Sequence, residues 1–335
     1  MKKVSVIILA FFCIMASFAS IAFAAPSKQD FAVTNDSATD TVTHLMTEHF
    51  AKLLKEKSGG SYNANVYPSG QLGGDRELLQ SAQAGDVAFI LQTTAPQVNF
   101  VPKLSVFDLP NLFPTIDVAR RSIDAFLPTI AKEYEKAGFK ILGIGDQGFR
   151  VMSSNKKIEK LPDFKGIKVR TMENKYHIAY WRALGANPAP LPWGEVYLSL
   201  QQGTIDAQEN PLEVIVAGKL YEQQKYAILT NHVLHSITIT MSKKIYDSLP
   251  EEDQKIVAAA ATETVKWGRD QANKRVKDRL GVLASNNTEV IELSPETMAN
   301  ILKASESVYA MIRKDVGENL VKELVDIVKV ESAKK

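Results

Sequence analysis

The chain has 335 residues, with 40 Lys and Arg against 38 Asp and Glu, 45% hydrophobic residues and a single cysteine. Near-neutral charge without basic clusters argues against a nucleic-acid or polyanionic partner. One cysteine excludes a disulfide framework within the chain. Met1-Lys2-Lys3, an apolar run from Val4 to about Ala16 and Ala22-Phe23-Ala24 before Ala25-Pro26 have the three-part layout of a secretory signal peptide. Cleavage is expected after Ala24, which makes the product an exported protein. Cys13 lies inside the apolar run behind Phe11 and Phe12, where lipid attachment would need small residues. The mature chain is then 311 residues, the 335 less the 24 of the leader, and loss of Lys2 and Lys3 makes it formally neutral. It has no cysteine for a thiolate nucleophile or a Cys-containing zinc site. No later stretch is apolar enough to span a bilayer.

Phe31 to Thr34 reads as a strand, and Val42, Leu45, Met46, Phe50, Leu53 and Leu54 recur at helical spacing up to Gly59-Gly60. Tyr62, Ala64 and Val66 alternate as a second strand, followed by the turn-rich PSGQLGG. Asp75 can cap a helix carrying Leu78, Leu79 and Ala82, and Val87 to Leu91 is an apolar strand that runs into Gln92-Thr93-Thr94. This β-α-β-α-β order predicts a mostly parallel sheet. Ligands of such sheets sit beyond the carboxyl ends of the strands, so Asn35, Asp36, Ser37, Thr93 and Thr94 are candidate pocket residues. Each of them, taken singly, reads equally well as a loop polar group.

A helix is expected over Thr115 to Ala137, a strand over Phe139 to Ile144 and a further run from Phe149 to Ser153. A second α/β unit follows, with the strand Ile167 to Arg170, helices near Tyr176 to Leu184 and Glu195 to Gln202, and apolar strands around Ala227 and over Ser236 to Met241. Ser248-Leu249-Pro250-Glu251 reads as a capping box opening a helical pattern to about Leu280. Thirty residues of helix span about 45 Å, enough to bridge two lobes. No repeat or low-complexity linker separates the units.

The segment Gly166 to Pro211 carries the sharpest chemistry. Arg170, at the end of a β-branched run, can offer a carboxylate a planar two-point fork that lysine cannot reproduce. Asn210 sits in what reads as a polar turn, and Trp193, between Pro192 and Gly194, can supply an apolar wall. Arg150, after Gly148-Phe149, points either toward the same cleft or into a surface ion pair. The pattern suggests an organic anion that is held and not transformed.

Gly143, Gly145 and Gly148 spell GxGxxG after a strand, yet the chain continues into FRVMSSN and opens no helix. A dinucleotide loop is thereby disfavoured, and a hinge-like crossover between lobes is the better reading. The five histidines show no zinc spacing, and no GxSxG elbow accompanies any serine. Glu195, Asp206 and Glu209 could supply paired carboxylates for glycoside hydrolysis, but their helix-start and turn settings favour bonds to local backbone.

FAKLLKEKSGG, YPSGQLGGDRELLQSAQAGDVAF, GFR at 148–150, KLPDFKGIKVRTMEN and GANPAPLPWGEVYLSLQQGTIDAQENPL, in this order, resemble the solute-binding proteins of TRAP transporters, the DctP family. The resemblance covers roughly Phe31 to Lys329. It implies a periplasmic-binding-protein-like α/β fold of two lobes with a hinge and a long helix spanning both. The expected lobes are residues 25–147 plus 236–275 and residues 148–235 plus 276–329. By the same resemblance Arg170 grips the ligand carboxylate, Asn210 is its partner, Arg150 adds a second contact and Trp193 is the loop aromatic. Asp36, Gln92, Thr93 and Thr94 complete the expected ligand set. Some sialic-acid-binding members carry a glutamate where this chain reads Gln92-Thr93-Thr94, which disfavours sialic acid. The expected protein is a monomeric receptor, without metal or cofactor, that delivers an organic acid to one small and one large membrane subunit. A secreted carbohydrate-active or hydrolytic enzyme is the alternative from another class, and a ligand sensor docked on a membrane receptor is a third.

Overall fold

A computed structural model describes residues 29–334. The leader, its cleavage point and Cys13 lie outside them. Inward-facing Phe31 and Val33 define β1 (Gln29–Thr34), and Thr41 caps α1 (Val42–Lys57) by accepting the His44 amide. β2 (Tyr62–Tyr67) runs parallel to β1, and α2 (Asp75–Ala84) stops at Gly85, whose φ of 91° is the left-handed cap that glycine adopts freely. β3 (Phe89–Thr93) pairs with β1, also in parallel, and leads into the short α3 (Thr94–Gln97). Next come α4 (Ile116–Lys136), β4 (Phe139–Ser154), β5 (Lys168–Thr171), α5 (Lys175–Ala183), β6 (Asn187–Pro190) and α6 (Val196–Gln201). The chain continues through β7 (Ala207–Asn210), α7 (Leu212–Ala217), β8 (Tyr226–Ser242), α8 (Lys243–Ser248) and α9 (Glu251–Ser285). It ends with β9 (Glu289–Ile291), α10 (Pro295–Val316) and α11 (Glu318–Ala333).

The strands form one mixed sheet in the order β2-β1-β3-β8-β4-β7-β5-β6, with β9 also paired to β8. Its spine is the antiparallel pair of β4 and β8, 16 and 17 residues long. β3 pairs with the Ile237–Met241 end of β8, whereas β7 pairs with the Val151–Ser154 end of β4. Each end of the spine thus carries its own group of parallel strands. α9 ties the two together: Val257, Ala261 and Val265 pack in one core with Phe50 and Met46, and Leu283 joins another with Val196 and Ile215. At 35 residues it is about 52 Å long.

Several expectations change. The runs read separately at Phe139 to Ile144 and Phe149 to Ser153 are one strand, as are those around Ala227 and Ser236 to Met241, because each is the other's antiparallel partner along nearly its full length, apart from the bulges. The crossover is a bulge within β4 between Asp146 and Phe149, where Gly148 has φ 92°. The other glycines of the false dinucleotide motif serve close packing. A Cβ on Gly143 would lie 2.8 Å from Val265 Cγ2, and one on Gly145 would lie 2.7 Å from Met46 Cε. Val265 is β-branched and held in α9, so Gly143→Ala is expected to lower unfolding free energy by about 1–3 kcal/mol, the usual range for overpacking, with no change in secondary structure. Urea unfolding followed by circular dichroism measures this, and a variant as stable as the parent would refute the packing role.

The capping box at the start of α9 does not form: Pro250 is the N-cap, and Ser248 Oγ donates to Ile245 O instead. Half of the supposed proline loop is β6, an edge strand, where Pro188 and Pro190 leave no central ladder bond unmade. Asn210 ends a strand and not a turn. α10 and α11 have no counterpart among the expected elements. α10 packs on α5 and α11 on α4, so the C-terminal segment touches helices from both ends of the sheet.

Candidate ligand-binding site

A cleft of about 490 Å³ opens where the ends of the strand groups face each other. Asp36 reaches it from the turn after β1, Thr93 from the end of β3, Arg170 from β5, Asn210 from the end of β7, and Trp193 from the turn beyond β6. These five and the expected Ser37 beside Asp36 come together on its wall, in the position that α/β sheets reserve for ligands. A wider opening continues outward, shared by Asp36, Asp75, Arg170, Met172 and Trp193.

Arg170 is 2% exposed and donates from Nε and Nη2 to the Leu191 carbonyl, at 2.8 and 2.5 Å. Guanidinium carries five N–H donors, so three are left, two on Nη1 and one on Nη2, and one from each nitrogen forms the end-on pair that grips a carboxylate. Burial pushes its pKa down to about 10, with Glu209, Asp75 and Asp36 opposing the fall, and it is still a cation at neutral pH. The Leu191 bond also anchors the chain just before Trp193, whose ring centre lies 6.0 Å from the guanidinium carbon. Gly218 makes room for that ring, since a Cβ there would lie 3.1 Å from Trp193 Cη2. Asn210 is oriented by donating from Nδ2 to Gln208 Oε1 at 2.7 Å, and Gln208 in turn donates to Ser153 Oγ at 2.7 Å.

Four expected residues are not on the cleft wall. Arg150, 1% exposed, is engaged with the Glu209 carboxylate through Nε and Nη2, with the Glu209 carbonyl at 2.5 Å, and with His235 Nδ1. Its charge is answered by Glu209, and the group it presents toward the cleft is His235. Gln92 is 1% exposed and donates to the Asp75 carbonyl at 2.9 Å and to the Asp75 carboxylate, so it braces a wall residue. Thr94 is buried as the first residue of α3. Asn35 bonds to Thr47 Oγ1 and to the Ser37 amide within its own turn. Of the carboxylates weighed for hydrolysis, Glu209 is paired with Arg150, Asp206 accepts the Lys168 amide at 3.0 Å, and Glu195 is exposed. Among the described residues no group of three His, Cys, Asp or Glu could hold a metal ion.

Asp75, Gln147 and His235 line the cleft without having been singled out for it. Asp75 had read only as a helix cap, and His235 carried no signal inside an apolar strand. Behind the wall, burial disfavours charge on Glu209, but Arg150, the hydrogen bond with His232 and the His177 ring 3.6 Å away hold its carboxyl well below the usual range. Burial likewise opposes charge on His177, yet Asp108 and Glu209 raise its pKa to about 9. A raised histidine pKa contributes stability that is complete below its unfolded value near 6.5 and is lost as pH rises through about 9. Unfolding free energy is therefore expected to fall between pH 6.5 and 9, and His177→Gln to flatten that slope. Denaturant titrations across this window would refute the assignment if both proteins showed the same slope.

Residues 33–315 match the family described as bacterial extracellular solute-binding protein, family 7, DctP. A relative named solute-binding protein from Verminephrobacter eiseniae is 33% identical over 277 residues, 82% of each chain. The sugar acid binding protein DctPAm from Advenella mimigardefordensis, solved with galactonate, superimposes with a TM-score of 0.88 at 29% identity, covering 92% of this chain and all of that one. A TRAP periplasmic solute-binding protein from Sulfurospirillum deleyianum, solved with succinate, gives 0.84 at 31% identity, over 90% and 99% of the two chains. These matches define the class as solute-binding proteins. The chain belongs to the DctP family of extracytoplasmic solute-binding proteins that work with TRAP membrane components, and it is not an enzyme.

Proposed function

We propose that this protein captures a small organic acid in the cleft, with the carboxylate on the free Nη edge of Arg170, and hands it to a TRAP transporter of one small and one large membrane subunit. The observation that carries this reading is the buried Arg170, oriented by Leu191 with its end-on donors left for a ligand. Asn210 adds a polar contact and Trp193 an apolar wall; Arg150 acts from behind through His235. The leader is removed after Ala24, and the mature monomer works in the periplasm.

The lobes, residues 25–147 plus 236–275 and residues 148–235 plus 276–329, close about the points where β4 and β8 cross between them. Ligand binding biases this equilibrium only as far as it favours the closed arrangement. Two arginines of α9 support such closure. Arg279 bonds to Asp40 Oδ2 at 2.8 Å and to Glu213 Oε2 at 2.7 Å, and Arg275 bonds to the same two carboxylates, so one helix joins both cleft walls.

A thermal-shift screen tests the reading with C4-dicarboxylates, sugar acids, 2-oxo acids and aromatic carboxylates. A ligand at 100 times its Kd is expected to stabilise the native state by about 2.7 kcal/mol. No stabilisation by any of the four classes would overturn it.

A further inference from the structure

Charge in the cleft is unevenly distributed. Arg170 is the only Lys or Arg among the described residues that line it, because Arg150 is taken by Glu209 behind the wall. Two carboxyl groups line the same space, Asp36 from the turn after β1 and Asp75 from the first turn of α2. Both also line the wider opening beyond it, again together with Arg170. Gln92 holds Asp75 from below, and Ser37 Oγ donates to Asp36 at 3.4 Å.

We propose that Asp36 and Asp75 act as one acceptor pair facing Arg170, that they read hydroxyl groups of the ligand, and that they make the cleft selective for polyhydroxylated monocarboxylates over dicarboxylates. This rests on the receptor reading above and deepens it. Arg170 can answer one ligand carboxylate. A second carboxylate on the ligand would be a third acidic group beside the pair, with no further cation on the inner wall; Arg76 lines only the wider opening, together with Glu77, Glu173 and Glu195. A hydroxyl donates to the pair without adding charge. Burial raises both carboxyls, and Asp36 raises Asp75 further, so the pair shares a proton more readily than it carries two charges. Binding of galactonate by a structural neighbour agrees with this chemistry, and succinate in another shows that the fold alone does not enforce it.

Isothermal titration calorimetry of the mature protein tests the proposal with D-galactonate, D-erythronate, succinate and 4-aminobutyrate. One aldonate is expected to bind at least about tenfold more tightly than succinate and 4-aminobutyrate. Asp75→Asn is expected to weaken that aldonate by about tenfold or more while leaving succinate unchanged or tighter. Asp36→Asn, outside any helix, makes the same comparison should Asp75→Asn fold poorly. Succinate or 4-aminobutyrate binding as tightly as the better of the two aldonates, all four ligands failing to bind, or an Asn variant shifting every ligand by one factor would each overturn the acceptor pair. Arg170→Lys separates the two readings. If succinate binds the parent best and loses affinity in Arg170→Lys, the receptor reading stands and only the acceptor pair falls. If no ligand responds to Arg170→Lys, the carboxylate clamp itself falls.

Discussion

Arg170→Lys weakens the best organic acid by about tenfold or more, and Arg170→Ala by considerably more, while the unfolding transition of the lysine variant stays near that of the parent. The reason is geometric. Lysine is a point charge on a flexible stem and cannot offer two parallel N–H donors in one plane, nor bond side-on to Leu191 while gripping a ligand end-on. Tenfold corresponds to about 1.4 kcal/mol, which is modest for a charge-assisted pair on a buried arginine. Calorimetric titration of both variants gives the measurement. An Arg170→Lys protein with parental affinity for that ligand would remove Arg170 from the site.

Glu209→Ala is expected to act on the fold before it acts on the ligand. It leaves Arg150, almost fully buried, without its carboxylate, and takes a partner from His177 and His232 in the same step. Breaking one side of a buried ion pair costs about 3–5 kcal/mol, because the surviving charge has neither water nor a partner. Equilibrium urea unfolding would show this as a lowered midpoint with little change in slope. The double variant Arg150→Met with Glu209→Met should recover much of the loss, since neither charge is then stranded. A Glu209→Ala protein with parental stability would mean that Arg150 is free to meet ligand directly, as the family resemblance had suggested.

These expectations show where sequence reasoning reached and where it stopped. Arg170 and Trp193 could be singled out because their neighbours in the chain carry the signal: a β-branched run ending in arginine, and an indole set between proline and glycine. Arg150 could not be placed, since its partner Glu209 is 59 residues away and only the pairing of β4 with β7 brings them together. Asp75 read locally as a helix cap, a place that Gly74 takes instead, and that sufficient local reading hid its position on the cleft wall. The glycines of the GxGxxG run are a similar case, because their neighbours Val265 and Met46 lie on other elements. The short strands β6 and β7 were legible only in part: prolines in β6 read as loop because edge position is a property of the sheet and not of the tetrapeptide.

By itself the sequence determined the class of the protein, its alternating α/β elements, the long helix and the arginine that can fork a carboxylate, because each depends on residue type and spacing over a few turns of chain. The tertiary structure alone decided that β4 and β8 are single strands forming the sheet's spine, that Arg150 faces Glu209, and that Asp36 and Asp75 stand together against Arg170. Those facts depend on which distant groups share one water-poor space, and there the partner of a charge decides whether it binds, braces or shares a proton.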